Sequence, residues 1–120
     1  MLTRYFKTTL VAIFAALISF SAPQLFAGEN SKTIKIETPT VQCGMCKNRI
    51  EKNLKDITGI ISSDVDYKEK HTTVTYNPDK ISPKEIRKAI ADIGYKAGDV
   101  EADKKAYKNL PACCKMSEDR

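Results

Sequence analysis

Two cysteines separated by two residues, in Cys43-Gly44-Met45-Cys46, are the positions of this chain best suited to chemistry. At that spacing two sulfurs converge on one point when the motif opens a helix. Cys46 then sits in the first turn and Cys43 in the loop before it. Unpaired amide N–H groups and the positive end of the helix dipole face such a position. Both favour thiolate over thiol, and thiolate is the form that binds metal. Lys47 and Arg49 would add positive charge in the same sense. Two thiolates at a surface loop can hold a soft ion in near-linear geometry. Such ligands select copper(I), and zinc or iron–sulfur clusters where further donors join; mercury(II) follows by the same softness.

The motif has other uses. An exported chain with an even number of cysteines is often a disulfide framework. Of the four cysteines here, Cys113 and Cys114 are adjacent and would bridge only through a strained ring. The four are also paired locally instead of being spread to staple distant loops. Thiol–disulfide cycling of Cys43 and Cys46 is the alternative reading, though thioredoxin-like proteins set the motif in a longer, parallel-type sheet.

The elements that must position this pair read clearly. Thr33 to Glu37 alternates as a half-buried strand, and Val41 to Met45 is a loop. Cys46, Ile50, Leu54 and Ile57 then recur at helical spacing, and Thr58-Gly59 ends that helix. Ile60 to Tyr67 and Thr72 to Tyr76 predict two strands joined by the charged turn Lys68-Glu69-Lys70. A second helix has Ser82 as N-cap, Pro83 as first residue and Glu85 completing a capping box. Ile81 and Ile86 are placed as its hydrophobic staple, Ile86, Ala89, Ile90 and Ile93 as its buried face, and Gly94 as its stop. Tyr95 to Val100 predicts a short fourth strand. The order βαββαβ is the ferredoxin-like arrangement. The expected fold class is therefore α+β: a four-stranded antiparallel sheet with two helices on one face, plus a short C-terminal helical tail.

The segment before residue 28 has a different character. Arg4 and Lys7 precede an uncharged, mostly apolar run from Leu10 to Phe20, then Pro23 and a small residue at Ala27. That is the pattern of a secretory signal peptide, with an uncleaved membrane anchor as the alternative. The reading is thus a signal peptide over 1–27, a polar leader over 28–32, a domain over 33–100 and a cysteine-bearing tail over 101–120, with a periplasmic or otherwise exported location. Without the signal the net charge falls from +5 to +3. Lysines scattered among acids, and no Trp, argue against a nucleic-acid track.

From Thr33 to Val100 the chain resembles a heavy-metal-associated domain. The resemblance rests on Cys43 and Cys46, Gly59-Ile60, the strand end from Val74 to Pro78, and Ile93-Gly94-Tyr95. The family includes copper chaperones, modules of metal-pumping ATPases and periplasmic mercury-binding proteins. A signal peptide followed by one such domain matches the last of these in layout. The resemblance implies a non-enzymatic carrier that holds copper(I) or mercury(II) and passes it to a membrane transporter or another metal-binding protein, as a monomer or as a metal- or disulfide-bridged dimer. Family members tuned for zinc(II) often carry an acid before the first cysteine, where this chain has Gln42. Val41 stands where the family has a methionine beneath the loop, and Tyr95 aligns with its aromatic near the metal loop. Met45 reads as exposed or as a weak third contact. His71 is expected in the hairpin turn, at the end opposite the metal loop.

The tail goes beyond the single-domain pattern. A fourth strand would carry the chain about 20 Å from the metal loop. A helix from Ala102 to Leu110, stopped by Pro111, would return about 13 Å. A few extended residues add about 10 Å. Cys113 and Cys114 can therefore reach Cys43 and Cys46 and are candidate further ligands. The alternative is a flexible tail with idle thiols.

Overall fold

The computed structural model describes residues 30–120; the proposed signal peptide and the first residues of the leader lie outside them. Strand β1 (Lys32–Glu37) pairs antiparallel with β3 (His71–Tyr76), which pairs antiparallel with β2 (Ile60–Asp66), giving the order β1-β3-β2. In β3 the alternation is strict: Thr72, Val74 and Tyr76 are buried, and the residues between them face outward. A bulge at Ile61 shifts the β2 register, and Ile61 is exposed.

Helix α1 (Gly44–Lys55) and helix α2 (Pro83–Ile93) cover one face of this sheet. The core joins Ile36, Val65, Val74 and Tyr76 from the strands to Cys46, Ile50 and Leu54 of α1 and Ile86 and Ile90 of α2. The expected helix faces are thus the buried ones, with Ile57, Ala89 and Ile93 only partly covered and Ala91 buried in addition. The capping box forms as expected. Ser82 Oγ accepts from the Glu85 amide at 3.3 Å, and Glu85 accepts from the Ser82 amide at 2.8 Å. Ile81 and Ile86 are both buried, and Gly94 closes the helix with φ +112.

The expected fourth strand does not form. After Tyr95 the chain makes a tight turn in which Ala97 and Val100 exchange amide–carbonyl bonds of 2.9 Å. Gly98 sits at its corner with φ +57, a conformation that ends an extended run. One rung toward β1 survives: the Gly98 amide donates to the Glu37 carbonyl at 2.7 Å. The described sheet therefore has three strands.

The turn also redirects the tail. The Asp103 amide donates to the Ala91 carbonyl at 2.9 Å, and Asp103 then caps the short helix α3 (Lys104–Lys108). Helix α3 is shorter than the expected Ala102–Leu110 and lies across the end of α2. Leu110 is buried, and Pro111 leads into a 3-10 turn at Ala112–Cys114 that packs on α1. Among the described residues no helix is long and apolar enough to cross a membrane.

Candidate metal centre

The loop before α1 is held from three sides. The buried hydroxyls of Thr38 and Thr72 meet at 3.0 Å, and the Thr38 amide donates to the Lys70 carbonyl at 2.9 Å. Lys70 Nζ donates to the Val41 carbonyl. Thr40 Oγ1 accepts from the Lys96 amide at 3.1 Å. Val41 is fully buried beneath the loop. Val41 thus fills the place of the family methionine, whereas the threonines and lysines at these positions carry no motif, so their part in the loop is not readable from spacing alone.

Cys43 is the N-cap residue of α1, with extended backbone at φ −153. Its sulfur stands 3.5 Å from that of Cys46, which is buried in the first turn. Partial burial pushes the Cys43 thiol up, but the amides of Cys46 and Met45 and the thiols of Cys46 and Cys113 outweigh it and bring it down to about 7. Those amides point at the sulfur without closing a cap hydrogen bond. The end of a helix that lacks acids in its first turn thus favours charge at Cys43.

Lys47 does not contribute in the expected way. Its ammonium is turned to β2, 2.7 Å from both Glu51 and Asp64 and 3.0 Å from the Val65 carbonyl. Arg49 lines the outer groove of α1 with Met45 and Lys52. His71 is also placed differently from expectation. It pairs with Glu37, where β1 runs into the cysteine loop, so the hairpin turn lies at the same end as the loop. Antiparallel pairing of β1 with β3 requires this, because the end of one is the beginning of the other.

The tail brings two more sulfurs. Cys113 is exposed and Cys114 buried, with their sulfurs 4.0 Å apart. The sulfurs of Cys43, Cys113 and Cys114 all lie within 4.8 Å of one another. Cys43 Sγ is 3.6 Å from the Cys113 carbonyl oxygen, and Cys113 Sγ is 3.6 Å from Met45 Sδ. Gln42 Nε2 reaches Met116 Sδ at 3.0 Å. Burial, then the adjacent Cys46 thiol, pushes Cys114 up to about 12. Tyr95 is fully buried, and its hydroxyl faces the sulfurs of Cys114 and Cys46 without closing a hydrogen bond to either. Burial, followed by those two thiols, raises the Tyr95 hydroxyl. All four cysteines and both methionines of the described residues therefore gather at one end of α1.

The sequence profile of the heavy-metal-associated domain matches residues 36–96, about half of the chain. This chain belongs to the heavy-metal-associated domain family. The family segment carries Cys43, Cys46 and Tyr95, and it ends before the tail that carries Cys113 and Cys114. Among curated relatives, the chain is 33% identical over 64 residues to the mercuric transport protein periplasmic component of Shewanella putrefaciens, covering 53% of this chain and 70% of that protein. It is 34% identical over 64 residues to the copper chaperone CopZ of Staphylococcus epidermidis, covering 53% of this chain and 91% of that one. Among solved structures it is similar to a CopZ metallochaperone, at a TM-score of 0.53 and 29% identity, over 55% of this chain and 98% of that one. It is also similar to oxidized MerP from Ralstonia metallidurans, at a TM-score of 0.55 and 26% identity, over 57% of this chain and 96% of that one. The ferredoxin-like α+β class holds, with the fourth strand reduced to a turn.

Proposed function

We propose that this heavy-metal-associated domain is an exported carrier that holds a soft ion, copper(I) or mercury(II), on the thiolates of Cys43 and Cys46. It passes the ion on by ligand exchange, one cysteine at a time. The observation that supports this best is the pair itself. Two sulfurs 3.5 Å apart sit at an acid-free helix N-terminus, with Cys43 lowered to about 7. A thiol lowered in this way is a readier ligand near neutral pH than an ordinary one. Cys43 is only half-buried, so an acceptor can approach it while Cys46, buried, still holds the ion.

The relatives agree in chemistry. They include the mercuric transport component and the copper chaperone already described, and a copper-exporting P-type ATPase of Bacillus subtilis, 39% identical over 54 residues that make up 7% of that protein. The acceptor on this reading is a membrane metal transporter or another metal-binding protein. The carrier role needs no catalysed reaction. Export rests on the signal-like segment 1–27, and sequencing the N-terminus of the mature protein should show Gly28 first.

The test is a titration of the reduced chain with copper(I), mercury(II) and zinc(II), alongside Cys43→Ser/Cys46→Ser. The expected result is tight uptake of copper(I) or mercury(II), weaker zinc(II), and much weaker uptake of both tight ions in the variant. Undiminished binding in the variant would overturn the reading.

A further inference from the structure

We propose that Cys113 and Cys114 are metal ligands: the docked tail completes, with Cys43 and Cys46, a four-sulfur site for a single soft ion. The proposal rests on the reading of Cys43 and Cys46 as the primary pair, and it adds the tail's part in the site.

Distances carry the first step. A tetrahedral shell with metal–sulfur bonds of about 2.3 Å has sulfur–sulfur edges of about 3.8 Å. A linear two-coordinate ion with the same bonds needs its sulfurs about 4.6 Å apart. Cys43 and Cys46 stand at 3.5 Å and Cys113 and Cys114 at 4.0 Å, both close to the tetrahedral edge. The three sulfurs of Cys43, Cys113 and Cys114 are already within 4.8 Å of one another. Cys46 lies outside that mutual set and joins it through Cys43, so side-chain rotation must bring the four sulfurs onto one ion.

The second step is the Tyr95 hydroxyl. It is buried, has no hydrogen-bond partner, and faces the sulfurs of Cys46 and Cys114. A buried donor without an acceptor is costly. Neutral thiols are weak acceptors, whereas metal-bound thiolates are charged and accept well. Loading Cys46 and Cys114 as thiolates would satisfy this group, and each thiol that binds would release its proton to solvent.

The third step is order. The tail reaches the site through a built path: Asp103 tied to Ala91, Leu110 buried, and Met116 held by Tyr107 and Gln42. Its sulfurs are therefore positioned before the ion arrives, which removes most of the ordering cost of adding ligands. An acceptor can then approach at Cys113, the exposed member of the set, as well as at half-buried Cys43.

Mercury(II) is the probe, added to the reduced full chain without oxygen, and X-ray absorption counts the sulfur neighbours. The expected result is an endpoint at one ion per chain with four sulfurs around it. Cys113→Ser/Cys114→Ser should keep the one-ion endpoint and fall to two sulfurs at a shorter bond length. Cys114 is buried, so Cys113→Ser, whose side chain is exposed, serves as the second variant and should lose one sulfur. Two sulfurs in the unmodified chain, two ions per chain, or an unchanged count in either variant would overturn the proposal. Mercury held equally well by Cys43→Ser/Cys46→Ser would instead overturn the reading of the primary pair, so the two failures are distinct.

Discussion

Gly94 lies directly under the tail helix: a methyl group on it would stand 3.1 Å from the Ala106 carbonyl carbon and from the Tyr107 nitrogen. Both neighbours are backbone, so neither can swing aside. Gly94 also holds φ +112, which a residue with a Cβ adopts only under strain. One glycine thus closes α2 and seats α3. Gly94→Ala should cost about 1–3 kcal/mol and should lift the tail. Limited proteolysis would read this as faster cleavage at Lys104 and Lys105. A variant with an unchanged melting point and unchanged cleavage would show that the tail docks without this contact.

The two thiols with shifted acidities make opposite pH predictions for the reduced, metal-free chain. Cys43 lies at about 7 when folded, below an unfolded thiol at about 8.5. Its contribution to stability is full above the unfolded value and is lost as pH falls through 7. Cys114 is raised to about 12, so its contribution is full below about 8.5 and is lost as pH rises toward 12. As far as these two groups decide, stability should rise from pH 7 to about 8.5 and fall beyond it. Alkylation of Cys43 should show a midpoint near 7, with Cys114 unreacted at that pH. A Cys43 midpoint at the ordinary thiol value would remove the electrostatic account of the site.

Local signals were legible in the residues, and long-range ones were not. The capping box at Ser82 and Glu85, the stop at Gly94 and the alternation of Thr72, Val74 and Tyr76 each depend on neighbours a few residues away, so spacing reveals them. The Cys43 and Cys46 geometry follows in the same way from a C-x-x-C that opens a helix. The missing fourth strand was decided by a left-handed turn at Gly98, which outweighs a run otherwise compatible with extension. Lys47 beside the motif suggested a charge on the sulfurs, but Glu51 and Asp64 claim it from the next turn of the helix and from β2. The return of Cys113 and Cys114 was within reach by chain length alone. Whether it happens depends on burial of Leu110 and contact at Gly94, which no periodicity in the tail reports.

Lys47 joins the first turn of α1 to β2 through Asp64, Glu51 and the Val65 carbonyl, while Glu51 also accepts from the Val65 amide at 3.0 Å. The Lys47 and Glu51 side chains are 30% and 27% exposed and Asp64 76%, so solvent screens much of the attraction. Lys47→Met keeps the stem and removes the charge. It should cost about 0.5–1 kcal/mol at low salt, and less at high salt. The alkylation midpoint of Cys43 should stay where it is, because the ammonium points away from the sulfurs. A shifted midpoint would restore Lys47 as a tuning group.

Ser82→Ala removes the hydroxyl that accepts from the Glu85 amide and breaks the reciprocal box. The expected loss is about 1 kcal/mol, read from the denaturant midpoint with an unchanged slope. Mercury(II) affinity should be unaffected, since the N-cap of α2 makes no part of the sulfur cluster. A weakened metal affinity with intact folding would show that α2 couples to the site in a way these contacts do not contain.

Tyr107 fastens the end of the tail. Its hydroxyl accepts from the Met116 amide at 3.0 Å and donates to Asp119 at 2.7 Å. Tyr107→Phe keeps the ring, which packs against the core, and deletes both bonds. Global stability should change by no more than about 1 kcal/mol, because the segment beyond Pro111 buries little apart from Cys114. The local effect should be larger. Hydrogen exchange at Met116 should accelerate by about tenfold, the factor that about 1.4 kcal/mol of lost local protection produces. Cys113 and Cys114, three and two residues before it, should react faster with thiol reagents while Cys43 keeps its own rate profile. If exchange at Met116 is unchanged, the tail is held by Cys114 and Leu110 alone, and the Tyr107 clamp adds nothing to its order.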